Sequence, residues 1–395
     1  MTVKCSICGH QAHYLAPHLA EVHDLSEDDY TGGPVTSPTL DLAYETHIKG
    51  RRRQAPDLSK GVSATFSGVN LPVDVSVPAD ACLPLPAGYR VPEHGKLADD
   101  VRRVVVRFRA GNRPIWVWGA PGTGKDAVFA ALSARTRRPT IVFNIAPDVD
   151  VSAWLATRAF STTGTFWEEG QLLRALRDGY TTPEGKVVPY LIVLSDLDRA
   201  SRSQMEPLRA ILDSLGGRVQ APNGMHQVLK GTLVVATANT SGGGDSTGKY
   251  TSSSVDTSIL DRFSYKVTFH NMDARDEEPI LRGKYPALAA RFPELVTTVL
   301  KAVTAIRDAI DKEEVFVDFG HRTVCNWLDA TSAESDCYTG KDCARVLRSG
   351  LQDILAGCPD EDTREALKRL VDPHLKGGAV DEGDTSHIDP NPLKP

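Results

Sequence analysis

The sequence predicts an α/β fold, a parallel sheet with flanking helices, joined to a C-terminal helical unit and a small N-terminal Cys/His module. Three observations predict it. Four short runs, Pro114-Ile-Trp-Val-Trp118, Thr140-Ile-Val-Phe143, Tyr190-Leu-Ile-Val-Leu194 and Thr232-Leu-Val-Val-Ala236, are essentially apolar throughout, as strands covered on both faces must be. Helical periodicity separates them: Leu97 to Arg109 precedes the first run, and Met205, Leu208, Ile211, Leu212 and Leu215 recur at helical spacing after the third. The first run leads directly into a glycine-rich loop that opens a helix.

This alternation assigns residues 96–270 to the α/β domain. Residues 271–358 read as mainly helical, with Leu295, Val299, Val303, Ile306 and Ile310 marking the apolar face of one long helix. Residues 359–395 have the polar, Gly/Pro-punctuated composition of a disordered tail. At the other end, residues 1–30 hold a Cys/His cluster. Residues 31–95 read as linker with short extended pieces at Ala64-Thr-Phe66 and Val73-Asp-Val-Ser-Val77, and carry a basic knot at Lys49, Arg51, Arg52 and Arg53.

The chain has 395 residues, 41% hydrophobic and 24% charged, an ordinary globular composition large enough for several packed units. A net charge of −6 argues against any global attraction to nucleic acid or anionic lipid. No apolar run approaches the ~18 residues of a membrane span, and no signal-peptide core is evident, so a cytoplasmic protein is expected. Cys5 and Cys8 form a tight pair among seven cysteines, and the other five are dispersed, which predicts free thiols plus one metal site.

The loop Gly119, Ala120, Pro121, Gly122, Thr123, Gly124, Lys125 has the spacing and the strand-to-helix context of a phosphate-binding loop. Its glycines let backbone amides curl round phosphates, the helix N-terminus adds positive potential, and Lys125 can reach the β- and γ-phosphates of ATP. The residue after the lysine is normally Ser or Thr, which ligates Mg²⁺; here it is Asp126. The third strand ends Ser195-Asp196, where an acidic pair is usual. A hydroxyl and a carboxylate are thus both still present on exchanged strands, and Mg²⁺ is a hard cation that takes oxygen ligands. The expected site has Asp126 as Mg²⁺ ligand, Ser195 as outer-sphere partner and Asp196 polarising the attacking water. The alternative is a degenerate site that binds nucleotide and turns it over slowly.

Asn239, at the end of the fourth strand, suits a residue that orients water or senses the γ-phosphate. Arg262, in Leu260-Asp-Arg-Phe263, suits an arginine finger delivered to a neighbouring subunit. Arg322, opening a helix in the lid, is placed to close onto the nucleotide. In the N-terminal cluster, Cys5-x2-Cys8-x9-His18-x4-His23 has the ligand types and spacing for tetrahedral Zn²⁺, with His10 and His13 as competing ligands. Lys4 is the one basic residue of 1–30, against Glu21, Asp24, Glu27, Asp28 and Asp29, so docking to a protein is favoured over DNA; the basic knot leaves nucleic acid as a lesser alternative.

These residues resemble one family. Over roughly residues 65–330 the chain is similar to the small AAA+ subunit of the aerobic cobalt chelatase, within the MoxR and dynein-related branch. The similarity is carried by the Gly119–Lys125 loop, Glu169-Gly170, Asp196-Leu-Asp198, the stretch Ala236–Tyr250, Asp261-Arg-Phe263 and Arg322-Thr-Val324. The N-terminal piece resembles a Ros/MucR-type zinc finger through His18-Leu19, His23-Asp-Leu-Ser26 and Tyr30. The resemblance implies a homo-hexameric ring that works with a second protein, a client or an adaptor bearing a metal-ion-dependent adhesion-type domain. It does not imply cobalt insertion, because the finger, Asp126 and Ser195 all depart from the chelatase pattern. The function expected is ATP-driven remodelling of a partner, with a nucleotide-stabilised scaffold and a DNA-binding ATPase as alternatives.

Overall fold

The structure, a computed structural model, describes residues 62–375 apart from 112, 163, 245–251, 253 and 339–341, together with the backbone at 3–4 and 11–12. The chain divides into two compact units, 1–57 and 58–395. In the first, β1 (Val3–Lys4) pairs antiparallel with β2 (Gln11–Ala12), Val3 opposite Ala12. Cys5, Cys8, His18 and His23, the expected zinc ligands, lie outside the described residues, as do His10, His13 and the basic knot.

The second unit is organised by a five-stranded parallel sheet. Its strands are β5 (Ile115–Trp118), β6 (Thr140–Asn144), β11 (Leu191–Ser195), β14 (Leu233–Ala238) and β15 (Tyr265–Thr268), in the order β15-β5-β14-β11-β6. Four of these are the four apolar runs; β15, short and half polar, carries no such signal. Successive side chains point to opposite faces. Trp116, Ile192, Leu194, Val234 and Ala236 enter one core with Leu172, Leu173 and Leu176 of α3 (Gln171–Arg177) and Met205, Leu208 and Ile211 of α4 (Arg202–Asp213). Ile115, Val117, Leu191, Val193 and Val235 enter the other with α1 (Gly95–Ala110) and α2 (Lys125–Thr136). Burial on both sides is why β5, β11 and β14 are not amphipathic; β6 corrects the expectation of cover on both faces, since it is an edge strand that leaves Val142 exposed.

Residues 62–95 are not simply linker. β3 (Ser63–Phe66) and β4 (Val69–Pro72) form a hairpin that places Phe66, Val69 and Leu71 in the second core. The expected extended piece Val73–Val77 is a turn instead, closed by the Asp74 carboxylate on Ser76 and Lys186. A further hairpin, β7 (Ala156–Ser161) with β8 (Gly164–Glu169), leaves Phe160, Phe166 and Trp167 exposed. Two smaller antiparallel pairs are β9 (Tyr180–Thr181) with β10 (Val187–Val188) and β12 (Arg218–Ala221) with β13 (Gly224–Gln227), and the short helix α5 (Thr257–Leu260) precedes β15.

The C-terminal helical unit comprises α6 (Ala274–Lys284), α7 (Pro286–Arg291), α8 (Leu295–Asp311), α9 (His321–Cys337), α10 (Cys343–Ala356) and α11 (Glu361–Val371). Leu295, Val299, Val303 and Ile306 of α8 are buried as their spacing predicts. The polar tail predicted from residue 359 is corrected: Glu361–Val371 is an amphipathic helix, whose Leu367 and Val371 are buried in the lid core. Its charged residues fill the outer face and dominated the composition.

One ion network fixes how α9 begins. The fully buried Glu277 carboxylate accepts from Arg307 Nη1 at 2.7 Å and meets His321 Nδ1 at 2.8 Å. Arg307 also donates Nε to the Phe319 carbonyl (2.8 Å) and Nη1 to the Met272 carbonyl (3.1 Å). Burial opposes the charge on His321, but bonds to Cys325 and Glu277 outweigh it and raise its pKa from 6.5 to about 9. A raised histidine contributes stability that is complete below its unfolded pKa and lost as pH rises through the folded value. Glu277→Gln leaves a buried guanidinium without its carboxylate. It is expected to lower unfolding free energy by about 3–5 kcal/mol in denaturant titration and to flatten the decline in stability between pH 6.5 and about 9.

Candidate nucleotide site

The carboxyl ends of β5, β14 and β11 lie side by side, and the loops leaving them form the site. Residues 119–124 turn from β5 into α2. Gly119 has no room for a side chain, since a Cβ would stand 2.3 Å from the Phe269 carbonyl oxygen, and Gly124 at φ +87° caps α2 in a conformation that favours glycine. Thr123 is buried and donates its hydroxyl to the Ala120 carbonyl at 2.9 Å. Lys125 is 6% exposed and donates Nζ to the carbonyls of Gly119 (2.7 Å) and Ala120 (3.0 Å) and to Asn239 Oδ1 (3.2 Å). Burial pulls the ammonium below the ordinary lysine range; Asp126, Asp196 and Asp198 oppose that shift, and Arg322 adds to it.

Three carboxylates therefore face the lysine. Asp126, in the first turn of α2, is exposed, and its Oδ1 accepts from the Thr237 hydroxyl at 2.9 Å. Ser195 ends β11 almost buried, its Oγ 3.5 Å from the same hydroxyl. Asp196 follows in the left-handed region (φ 57°, ψ 44°), a conformation Asp tolerates better than most residues. Burial first, then the nearby Asp126 and Asp198, push its carboxyl above the usual range. Asp198 is wholly buried. Its Oδ2 accepts from the Asn239 and Thr240 amides (3.0 and 2.9 Å) and the Thr240 hydroxyl (3.0 Å), which fixes the turn that presents Asn239.

The lid reaches the same loop. A Cβ on Gly320 would stand 2.4 Å from the Pro121 carbonyl oxygen, and one on Gly122 would stand 3.1 Å from the Arg322 amide nitrogen. Two glycines thus let the start of α9 touch the loop, with Arg322 exposed beside it. Arg262 is placed elsewhere: its guanidinium forks onto Asp213 at the end of α4 (2.6 and 2.7 Å) and donates to the Ser258 carbonyl. Lys125, Asp126, Ser195, Asp196, Asn239 and Arg322 are thus brought together, and Arg262 is not. Glu169 binds Arg177 and Asn223. Residues 245–251 lie outside those described. Sequence reasoning gave no role to Thr237, a β-branched residue in an apolar strand, and none beyond family resemblance to Asp198.

Residues 114–263 match the AAA domain of the dynein-related subfamily. The chain has the fold of an AAA+ P-loop NTPase. Midasin of Giardia intestinalis is 29% identical over 101 residues, which is 26% of this chain and 2% of that much longer protein. Among solved structures, RuvB of Thermotoga maritima aligns at 12% identity and a TM-score of 0.40, covering 72% of this chain and 78% of RuvB. A proposed ATPase of Cytophaga hutchinsonii aligns at 12% identity and 0.33, covering 70% and 93%.

An AAA+ P-loop implies ATP and Mg²⁺, and the residues present fit a hard cation. The Asp126 carboxylate lies close enough to add to the cost of ionising Asp196, and among the described residues buried Asp198 Oδ1 has no hydrogen-bond partner. Among the described residues no three His, Cys, Asp or Glu side chains cluster tightly enough to hold an ion by themselves. Mg²⁺ is usually held by one or two carboxylates together with substrate phosphates.

If the lid start is part of the AAA+ site, crowding Gly320 must disturb nucleotide binding. Gly320→Ala, which meets backbone, is expected to weaken binding of a fluorescent ATP analogue about tenfold or more. Gly283→Ala, in α6 with open space around it, is the control and should bind as wild type. Equal affinities for both variants would detach the lid from the site.

Proposed function

We propose that the protein is an AAA+ ATPase that hydrolyses ATP in a homo-hexameric ring and uses the cycle to remodel a partner protein. The observation that carries this reading is the convergence of Lys125, Asn239, Asp196 and Arg322 on one loop, with Arg262 turned away from them. Lys125 binds the β- and γ-phosphates. Asp196 takes up a proton from the attacking water, for which a carboxyl raised by burial and neighbouring charge is suited, and Asn239, pinned through Asp198, orients that water. Asp126 would hold the cation, with Ser195 as its outer-sphere partner, and the cation would supply neutralisation of the phosphate charge. Arg322 closes on the phosphates from the lid, and Arg262 serves the neighbouring subunit.

The N-terminal Cys5, Cys8, His18 and His23 would bind Zn²⁺ and form the docking module, for a client or an adaptor of the metal-ion-dependent adhesion type. A second reading is favoured by the altered cation positions: a ring held together by ATP, whose slow turnover is incidental to a scaffold role.

The trans role of Arg262 separates these readings from a self-sufficient subunit. Arg262→Ala is expected to bind ATP normally but lose turnover by about 10³-fold, as is Lys125→Ala through lost binding. An equimolar mixture of the two variants should regain measurable activity, because a subunit with an intact loop then meets a neighbour with an intact Arg262. An Arg262→Ala protein that turns over at the wild-type rate would overturn the assignment. Wild-type turnover no faster than Lys125→Ala, with ATP-dependent assembly intact by size-exclusion chromatography, would favour the scaffold.

A further inference from the structure

Thr237 is the one polar residue of β14, whose described sequence is Leu233-Val-Val-Ala-Thr-Ala238, and it is 0% exposed. Valine has the same shape and would fill that place without a hydroxyl to satisfy, so a threonine buried in such a strand needs a hydrogen-bond partner to be tolerated. Its partner lies on another element: the hydroxyl reaches Asp126 Oδ1 at 2.9 Å. Ser195 Oγ is also near, at 3.5 Å, but the hydroxyl has a single proton, and the closer, charged acceptor takes it. Asp126 is exposed and on the first turn of a helix, where a carboxylate left to itself would sample several rotamers.

We propose that Thr237 is a positioning residue for the cation site: its hydroxyl holds one oxygen of Asp126 so that the other is kept facing the nucleotide's divalent cation. The inference rests on the reading of Asp126 as a cation ligand. It accounts for a feature that reading leaves open, namely how a flexible carboxylate replaces the short Ser or Thr hydroxyl normal at this position. Valine at 237 removes the donor without changing side-chain shape, and Asp126, an exposed residue, keeps its access to water, so the fold has little to lose.

The test uses the full chain and a non-hydrolysable fluorescent ATP analogue, titrated once with Mg²⁺ and once with EDTA. The ratio of the two affinities is the readout, and Mn²⁺ bound in the presence of the analogue, counted by electron paramagnetic resonance, is a second. Wild type is expected to bind much more tightly with Mg²⁺, and Asp126→Asn to lose most of that ratio. Thr237→Val should reduce the ratio about tenfold with its affinity in EDTA unchanged, and Thr237→Ser should restore it. A Thr237→Val protein that keeps the wild-type ratio, while Asp126→Asn loses it, would overturn the role of Thr237 and leave Asp126 as ligand. An affinity that falls equally in Mg²⁺ and EDTA would make the hydroxyl a prop of the loop, which also overturns the proposal. A wild-type ratio near one, matched by Asp126→Asn, would remove both.

Discussion

A buried ammonium governs this site. Lys125 is held by two carbonyls of its own loop and by Asn239, so the loop from β5 can curl only in the way that offers those oxygens. The third acceptor ties the loop to the end of β14, and Asp198 ties that strand end to the turn after β11. Three crossovers of the sheet are thereby registered on one charged atom. Because charge in a partly buried setting interacts more strongly than in water, the surrounding carboxylates are part of the same constraint.

Those carboxylates crowd one another. Asp126, Asp196 and Asp198 lie among Lys125, Arg199 and Arg322, and burial together with Asp126 and Asp198 already discourages Asp196 from ionising. A triphosphate entering such a site brings more negative charge and is favoured only with a cation of its own. On the proposed reading, Asp126 in place of a hydroxyl would move the site toward cation dependence. The lid contributes in a different way: Gly320 and Gly122 let two backbones touch, so the placement of Arg322 depends on the Glu277–Arg307–His321 network at the start of α9.

The parts legible in the sequence are those whose signal is local. Strands buried on both faces read as unbroken apolar runs, and the glycine loop declares itself by spacing and context. What escaped depends on partners distant in the chain. Thr237 looks like an ordinary β-branched strand residue until its hydroxyl is seen on Asp126, 111 positions away. Glu277 and Arg307 look like surface charges on amphipathic helices, yet they meet inside the lid. Edge strand β15 and helix α11 were missed because edge and surface elements carry many polar residues, and composition weighs those above two or three buried ones. The bidentate grip of Asp213 on Arg262 had no sequence signature at all.

The most direct measurement is crystallographic: the protein with a non-hydrolysable ATP analogue and Mn²⁺, with anomalous difference density used to locate the ion. An ion in contact with an Asp126 carboxylate oxygen and a phosphate oxygen, with the Lys125 ammonium turned to the phosphates, is the expected result. An ion held by phosphates and water alone, with Asp126 turned out to solvent, would contradict it.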